Sequence, residues 1–399
     1  MSANRYSQLF DRLVINAPFS SGAEDQLAED CIDLVSGVPD PTLLPRDWFC
    51  EAMDKVMGSD LGDTALDYSA YGGTHELRSL VARWRGVPED NVLITNGAMN
   101  GIYLSTFASI NPGDVIVTED PTFPFALRIF DLAGAHISTV PLTNEGLDLE
   151  ALEALLRSPK GKQVKALYTI PDFQNPSGVC LDGGAKRRLM ELSERYGFTV
   201  IADSPYDSLW FDTQPASFPQ EYRTADDGSG LVEIGSFSKL FGPGWRIGWL
   251  IADRERVRKL EGFRARIDSH SNGVGQMIIA SVLQDESRFH QLLDTQRATY
   301  RKRAGILYEA LTEVLGSTVR ARRPEGGYFL WGRFEDGWNP ASAAAAGALA
   351  RNGVSLVAGD AFRPDHKGCG EFRLCFSHVP IESLREGAVR IARAHAERE

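Results

Sequence analysis

The sequence predicts an α/β fold in which buried strands alternate with helices. Three runs of mainly apolar and small residues, beginning near Lys165, Thr199 and Leu231, each end in polar residues, as the buried strands of an open sheet often do. Roughly 30 residues separate the end of each run from the start of the next, enough for a helix that returns the chain to the same sheet edge. Because ligands of such sheets bind at the carboxyl ends of the strands, we take the polar residues there as candidate site residues.

Length and composition describe an ordinary globular chain. Its 399 residues carry a net charge of -12 and a hydrophobic fraction of 43%, which suffices for a large core or for two lobes. An acidic chain without a basic block argues against nucleic acid as a partner, and no apolar run is long enough to span a bilayer. The five cysteines have no metal-ligand spacing, and their odd number favours free thiols. We therefore expect a cytoplasmic protein without a metal centre.

The third run leads into a loop that places Lys239 close to two hydroxyls, Ser236 and Ser238, and ahead of Arg246. A lysine held between buried strands loses hydration, so its neutral amine becomes accessible and can form a Schiff base with a carbonyl. Hydroxyls and a planar guanidinium suit a phosphate. A carbonyl and a phosphate on one small molecule indicate pyridoxal 5'-phosphate (PLP). For Ser-x-Ser-Lys alone, the alternative is a solvated lysine in a serine-rich turn.

Other strand ends carry groups that fit the same cofactor. Asn175 lies in a loop that ends Asn-Pro-Ser-Gly, and its amide can donate to a phenolate oxygen. Asp203 ends the second run, and a buried carboxylate needs a cationic partner such as a protonated pyridine nitrogen. Another strand-like run precedes Gly97 and Ala98, which open a helix whose N-terminus can bind a phosphate.

These segments together resemble the fold-type I PLP-dependent enzymes of the aspartate aminotransferase superfamily. Residues 236–249, Ser-Phe-Ser-Lys-Leu-Phe-Gly-Pro-Gly-Trp-Arg-Ile-Gly-Trp, are similar to its Ser-x-Ser-Lys and Gly-x-Arg-x-Gly-Trp motifs. Residues 168–178, Tyr-Thr-Ile-Pro-Asp-Phe-Gln-Asn-Pro-Ser-Gly, resemble in particular the branch of class I/II aminotransferases that includes aminoadipate and kynurenine aminotransferases and MocR-like proteins. The resemblance covers residues 32 to 395, nearly the whole chain.

The resemblance implies further cofactor contacts. Phe123 matches an aromatic residue that stacks on the cofactor ring, and Tyr206 matches a tyrosine that shares the cofactor's 3'-oxygen with Asn175. Met99 follows Gly97 and Ala98 on the phosphate side, near where relatives usually have glutamine. Tyr71 matches a tyrosine that reaches the cofactor phosphate of the other subunit.

Substrate contacts follow from the same resemblance. Arg373 matches the arginine that binds the substrate's α-carboxylate through a bidentate pair. Gly37 lies in a Gly-x-Pro segment whose backbone lines the substrate pocket near that carboxylate, and Asn175 borders the same space.

The resemblance also implies the architecture. We expect a large domain with a mostly parallel mixed sheet between helices, a small α/β domain, and a homodimer with shared active sites. Residues 1–50 would form an N-terminal arm and part of the small domain, 51–292 the large PLP-binding domain and 293–399 the small C-terminal domain. Residues 254–296 are expected to be largely helical, with a further amphipathic helix over 300–315.

The implied activity is transfer of an amino group from an L-amino acid to a 2-oxo acid, with an internal aldimine on Lys239. Lys239, once released, would act as the general base, while Asp203 keeps the cofactor ring protonated and Tyr206 contacts its 3'-oxygen. The sequence does not name the amino donor.

Two alternatives remain at this point. Ser36, Met99 and Trp245 depart from the common aminotransferase pattern, so a PLP enzyme of β- or γ-elimination, replacement or carbon–carbon bond formation is one alternative. It could act on S-adenosylmethionine, as enzymes resembling 1-aminocyclopropane-1-carboxylate synthase do. A PLP-sensing regulator is the other, although the residues ahead of the matching region are too few for a DNA-binding domain.

Overall fold

The computed structural model describes Ser7, Leu9 and residues 30–368 and 370–397. The N-terminal arm expected before residue 30 lies almost wholly outside the described residues, as does Cys369. No helix among the described residues combines the length and the apolar character that a bilayer crossing requires.

The centre of the fold is a mixed, mostly parallel sheet of eight strands in the order β2-β9-β8-β7-β6-β3-β4-β5. The strands are β2 (Val92–Thr95), β3 (Val115–Asp120), β4 (His136–Thr143), β5 (Gly146–Leu147), β6 (Val164–Thr169), β7 (Thr199–Asp203), β8 (Leu231–Ser236) and β9 (Gly248–Ala252). The pairs β3–β4, β3–β6, β6–β7 and β7–β8 are parallel. β9 runs antiparallel to both of its neighbours, and β5 runs antiparallel to β4.

Helices cover both faces of this sheet. Alternate residues of a strand point to opposite faces, and β7 shows the consequence. Ile201 packs in one apolar cluster with Leu104 and Phe130, which come from helices on one face. Val200 packs in another cluster with Leu189, from a helix on the opposite face. The predicted sheet between helices is confirmed.

The helices of the described residues complete the fold. They are α1 (Arg46–Met57), α2 (Leu61–Leu66), α3 (His75–Arg85), α4 (Ala98–Ser109), α5 (Pro124–Leu132), α6 (Leu149–Arg157), α7 (Gly183–Tyr196), α8 (Gln220–Arg223), α9 (Ser238–Phe241), α10 (Arg254–Arg264), α11 (Gly273–Leu283), α12 (Glu286–Leu315), α13 (Ala343–Arg351) and α14 (Ile381–Ala396).

A second, smaller sheet lies in the C-terminal part. It has four strands in the order β10-β11-β14-β13, namely β10 (Val319–Ala321), β11 (Phe329–Phe334), β13 (Val357–Ala358) and β14 (Glu371–Cys375). The short strand β1 (Ile32–Asp33) pairs in parallel with β12 (Val354–Ser355). The segment that follows β1 is therefore attached to the C-terminal part of the fold.

The predicted start of one helix was wrong. The helix expected over 300–315 is the second half of α12, which runs without interruption from Glu286 to Leu315. The break expected between residues 296 and 300 does not exist: the helix continues through Gln296, whose buried amide donates to the carbonyl of Leu240. The predicted domain boundary at 292/293 falls within this helix, and the division into domains stays a prediction.

Parallel pairing brings the carboxyl ends of β6, β7 and β8 to one edge of the large sheet. Thr169, Asp203 and Ser236 end these strands. The residues that follow them in the chain, among them Asn175, Tyr206 and Lys239, therefore meet at this edge.

Candidate active site

A cavity of about 820 Å³ opens at this edge, between the large sheet, the segment after β1 and the C-terminal sheet. Most of the predicted site residues line it: Gly37, Ala98, Met99, Phe123, Asn175, Asp203, Tyr206, Ser236, Ser238, Lys239, Arg246 and Arg373. Gly97 and Tyr71 do not. No group of three or more potential metal ligands among the described residues is arranged to hold a metal ion.

Lys239 is held at both its backbone and its amine. The hydroxyl of Tyr328 donates to the Lys239 carbonyl at 2.7 Å, and the Nζ of Lys239 donates to the carbonyl of Gly37 at 2.6 Å. Loss of hydration in the cavity wall lowers the pKa of Lys239 to about 8, and the nearby positive charge of Arg373 acts in the same direction. A substantial fraction of the amine is therefore neutral close to physiological pH, as a Schiff-base nucleophile requires.

Asp203 is a buried carboxyl group in which only one of the two oxygens accepts a hydrogen bond from the described residues. The hydroxyl of Tyr168 donates to Oδ2 at 2.8 Å. Oδ1 has no hydrogen-bond partner among the described residues although it is buried. Burial raises the pKa of Asp203 to about 6, against the hydrogen bond from Tyr168 and the charge of Lys239. Buried acceptors are normally satisfied, so Oδ1 fits a ligand that brings an N–H donor.

The opposite end of the cavity suits an anion. Gly97 precedes α4 with φ 75°, and a Cβ placed there would lie 2.9 Å from Nη2 of Arg246. Glycine therefore allows the guanidinium to approach the N-terminus of α4. The Oγ of Ser236 accepts from the backbone N–H of Ser238 at 3.1 Å, which places both serines on the same wall. A helix N-terminus, hydroxyls and an exposed arginine together fit a phosphate.

Arg373 extends from β14 into the cavity wall and is fixed on two sides. Its Nη1 donates to Oδ1 of Asn175 at 3.0 Å, and its Nη2 donates to the carbonyl of Val35 at 2.7 Å. The guanidinium also stacks over the ring of Phe329, 4.0 Å from its centroid. Burial lowers the pKa of Arg373 to about 10, so it remains a cation at neutral pH and can bind a carboxylate.

Three predicted aromatic residues occupy different positions. Tyr206 is buried, and burial raises the pKa of its phenol, so it is a neutral hydroxyl that can donate. Phe123 precedes α5, lines the cavity and packs against Phe125 with ring centroids 5.4 Å apart. Tyr71 lies outside the cavity with 52% of its surface exposed.

The sequence analysis did not predict the buried polar residues that support the cavity wall. Tyr168 and Glu119 are buried polar residues inside strands β6 and β3, and Gln174 is fully buried directly before Asn175. A tyrosine or glutamate inside a predicted buried strand is the signal that could have found the first two. Their partners come from other strands and loops, and no motif in the sequence specifies those pairings.

Comparison with known proteins shows which family the chain belongs to. The model of the family "Aminotransferase class I and II" matches residues 29–391. An aromatic-amino-acid aminotransferase of Thermococcus litoralis is 32% identical, with 91% of this chain and 87% of the relative covered. The solved structure of Pyrococcus horikoshii kynurenine aminotransferase, in complex with PMP, has a TM-score of 0.89 and 30% identity, covering 99% of this chain and 98% of that one.

A second solved structure carries a cofactor adduct. It is the α-aminoadipate aminotransferase LysN of Thermus thermophilus, complexed with N-(5'-phosphopyridoxyl)-L-leucine, with a TM-score of 0.86 and 29% identity over 98% of this chain and 97% of that one. The cavity described above fits PLP, because it offers Lys239 for the carbonyl, an open carboxylate oxygen for the pyridine nitrogen and an anion site for the phosphate. The chain belongs to the class I and II aminotransferase family and is a PLP-dependent aminotransferase.

Proposed function

We propose that the amino donor is an L-amino acid with an apolar or aromatic side chain, that the acceptor is a 2-oxo acid, and that Lys239, Asp203 and Tyr206 are the catalytic residues. The single observation that supports this substrate class is the composition of the cavity wall. Apart from the groups proposed for the cofactor and the α-carboxylate, the wall is largely apolar. Its apolar side chains include Val38, Met99, Ile102, Phe123, Phe125, Leu356 and Val357.

The cations of the wall support the same proposal. Apart from His366, the basic residues that line the cavity in the described part of the chain are Lys239, Arg246 and Arg373. We assign Lys239 to the cofactor carbonyl, Arg246 to the phosphate and Arg373 to the α-carboxylate. That leaves no arginine or lysine of the described wall for a second carboxylate on the substrate side chain, and burying an unpaired carboxylate is costly.

PLP, when bound, supplies the carbonyl that takes up the amino group and a ring that withdraws electrons from the substrate's α-carbon. Lys239 carries out the proton transfer: its Nζ accepts the α-proton and returns it to the reacting atoms. Asp203 would hold the ring nitrogen through Oδ1 and keep a proton there. Tyr206 and Asn175 would donate to the 3'-oxygen. Arg373, held by Asn175 and Val35, orients the α-carboxylate.

We further propose a homodimer in which Tyr71 completes the phosphate site of the other copy. Large apolar side chains lie exposed on and next to helices α1 and α2, which pack against each other. They are Met53, Met57, Leu61, Leu66 and Tyr68, of which Leu66 is 68% and Tyr68 88% exposed. Tyr71 follows directly after this face. Apolar patches on a protein surface commonly mark contacts with another chain, and a second copy would cover this one.

We retain the cytoplasm as the proposed location. The cysteines that the structure describes, Cys31, Cys50, Cys180 and Cys375, are free thiols. Free thiols persist in reducing compartments.

The experiment that tests the proposed function follows the visible absorbance of the bound cofactor after one amino acid is added without an acceptor. We expect L-phenylalanine and L-leucine to react at least about tenfold more efficiently than L-2-aminoadipate, because the described wall offers no cation for the second carboxylate. Equal or greater efficiency with L-2-aminoadipate would contradict the substrate class. Release of the substrate nitrogen as ammonia, with the cofactor left in its aldehyde form, would contradict amino transfer itself.

A further inference from the structure

Glu119 is a buried carboxyl group that the roles assigned above do not use. It lies near the end of β3 and is 1% exposed. Its hydrogen-bond partners in the described chain are all neutral: the hydroxyl of Thr169, the backbone N–H of Ile170 at 3.1 Å and the side-chain amide of Gln174 at 2.9 Å. Burial raises the pKa of Glu119 to about 7 against these hydrogen bonds. The ionised form of this carboxyl group is therefore stabilised in the core by these neutral donors alone, so the loss of any one of them is costly.

The amide of Gln174 has only one orientation that satisfies its neighbours. Its Oε1 accepts from the backbone N–H of Ser177 at 2.8 Å and from the Ser177 hydroxyl at 2.7 Å. Its Nε2 donates to Glu119 and to the carbonyl of Pro121, both at 2.9 Å. Since the Ser177 N–H can only donate and the Pro121 carbonyl can only accept, a flipped amide would lose both hydrogen bonds.

This network encloses the turn that carries Asn175. Gln174 lies directly before Asn175 and Ser177 lies two residues after it, and the N–H of Gly178 donates to the Gln174 carbonyl at 2.7 Å. The carbonyl oxygen of the Asn175 amide accepts from Arg373, so the NH₂ group is the part of that amide that can donate to a ligand. A small rotation of the turn would move both contacts at once.

We propose that Glu119 is a positioning residue that acts through Gln174 and Ser177 to orient Asn175 toward the cofactor and toward Arg373. The inference rests on the proposed role of Asn175 in the site. Glu119 does not line the cavity. It would act on Asn175, the residue that we propose contacts both cofactor and Arg373.

The test exchanges the side chains of Glu119 and Gln174. In Glu119→Gln the new side-chain N–H at position 119 faces the side-chain N–H of Gln174, and neither group can accept. The Gln174 amide then either flips and loses its hydrogen bonds from Ser177, or keeps them and loses its acceptor at position 119. In Gln174→Glu two carboxylates face each other. In the double variant E119Q/Q174E the amide donates from position 119, and the carboxylate at 174 still accepts from Ser177. The exchange therefore restores the network apart from the contact with Pro121.

The readouts are the PLP dissociation constant, from equilibrium dialysis of the full-length protein against PLP, and the KM and kcat for the amino donor. We expect Glu119→Gln to bind PLP about tenfold more weakly and to raise KM by a similar factor. Gln174→Glu should bind more weakly still, and the double variant should return to within about threefold of wild type. A double variant no better than Glu119→Gln would overturn the inference, as would wild-type affinity in Glu119→Gln.

Glu153→Gln is the matched control. Glu153 is a buried carboxylate on α6 that pairs with three arginines and does not line the cavity. We expect it to lower stability and to leave PLP affinity and KM unchanged; an equal loss of PLP affinity would overturn the inference. If Glu119→Gln does not fold, Ser177→Ala tests the same network by removing one donor to Gln174. It should weaken PLP binding about threefold, and wild-type affinity in it would also overturn the inference. Failure of the wild-type protein to bind PLP would instead overturn the proposed function, and the inference with it.

Discussion

Arg373 donates from Nη1 to the amide oxygen of Asn175 at 3.0 Å, although Arg373 lies in the small sheet and Asn175 in a turn beyond the large sheet, far apart in sequence. Asn175 follows β6 of the large sheet, and Arg373 belongs to β14 of the small one. The bond connects the proposed cofactor contact with the proposed carboxylate contact. A change at either residue should therefore affect the binding of both ligands, to different extents.

Arg373→Lys should raise the KM for the amino donor about 10- to 100-fold and change PLP affinity much less. A lysine has a single ammonium and cannot hold Asn175, Val35 and a carboxylate in one planar geometry. Steady-state kinetics and equilibrium dialysis with PLP measure the two effects. Arg320→Lys, at an exposed position of strand β10 in the same small sheet, serves as the control and should behave as wild type. A larger change in PLP affinity than in KM would show that Arg373 serves the cofactor.

Asp203→Asn should lower kcat by about 100- to 1000-fold, since an amide cannot provide the negative charge that keeps a proton on the ring nitrogen. Tyr168→Phe removes only the hydrogen bond to Oδ2 and should cost about tenfold. Single-turnover reaction with an amino acid separates this chemical step from product release. Equal losses in the two variants would show that the Tyr168 hydroxyl contributes as much as the carboxylate.

Lys186→Met should destabilise the fold by about 3–5 kcal/mol, because it leaves Asp172 as a buried charge without its cation. The Nζ of Lys186 lies 2.6 Å from Oδ1 of Asp172, and both side chains are almost fully buried. Burial raises the pKa of Asp172 to about 6, against the attraction of Lys186.

The double variant K186M/D172L tests that explanation by chemical denaturation. It should recover most of the stability, since two apolar side chains can replace a buried pair. A double variant as unstable as Lys186→Met would show that the single change acts through packing and not through the isolated carboxylate.

The sequence predicted those features of the fold and of the site that depend on residues close together in the chain. Asp203 and Lys239 each follow an apolar run, so strand pattern and local chemistry were enough to place them at one sheet edge. The wall of the cavity contains them as expected, while their roles remain predictions until variants are measured. The sequence analysis divided helix α12 after Gln296, whereas the chain continues as one helix in which the buried Gln296 amide is satisfied by the carbonyl of Leu240.

The supporting contacts could not be predicted because they depend on register and on long-range docking. Glu119 reaches Gln174 only because β3 and β6 are neighbours, and nothing in either segment specifies that pairing. Likewise, the hydrogen bond from Lys239 to the Gly37 carbonyl requires the segment after β1 to dock against the large sheet. Such contacts are set by the packed fold and appear in the sequence only as polar residues at buried positions.

Lys239→Met should stabilise the PLP-free protein, and the gain should depend on pH. Because the folded-state pKa of Lys239 is lowered to about 8, the folded state binds fewer protons than the unfolded state between about pH 8 and the ordinary lysine value near 10.4. The cost of burying the ammonium is therefore fully present below pH 8 and fades as the pH rises through this window. We expect an advantage on the order of 3 kcal/mol at pH 7 that shrinks toward pH 10. Chemical unfolding at several pH values measures it, with Lys165→Met, at an exposed position of β6, as the control. A gain that stays constant from pH 7 to 10 would mean that methionine stabilises the site through packing alone and that the amine is not desolvated.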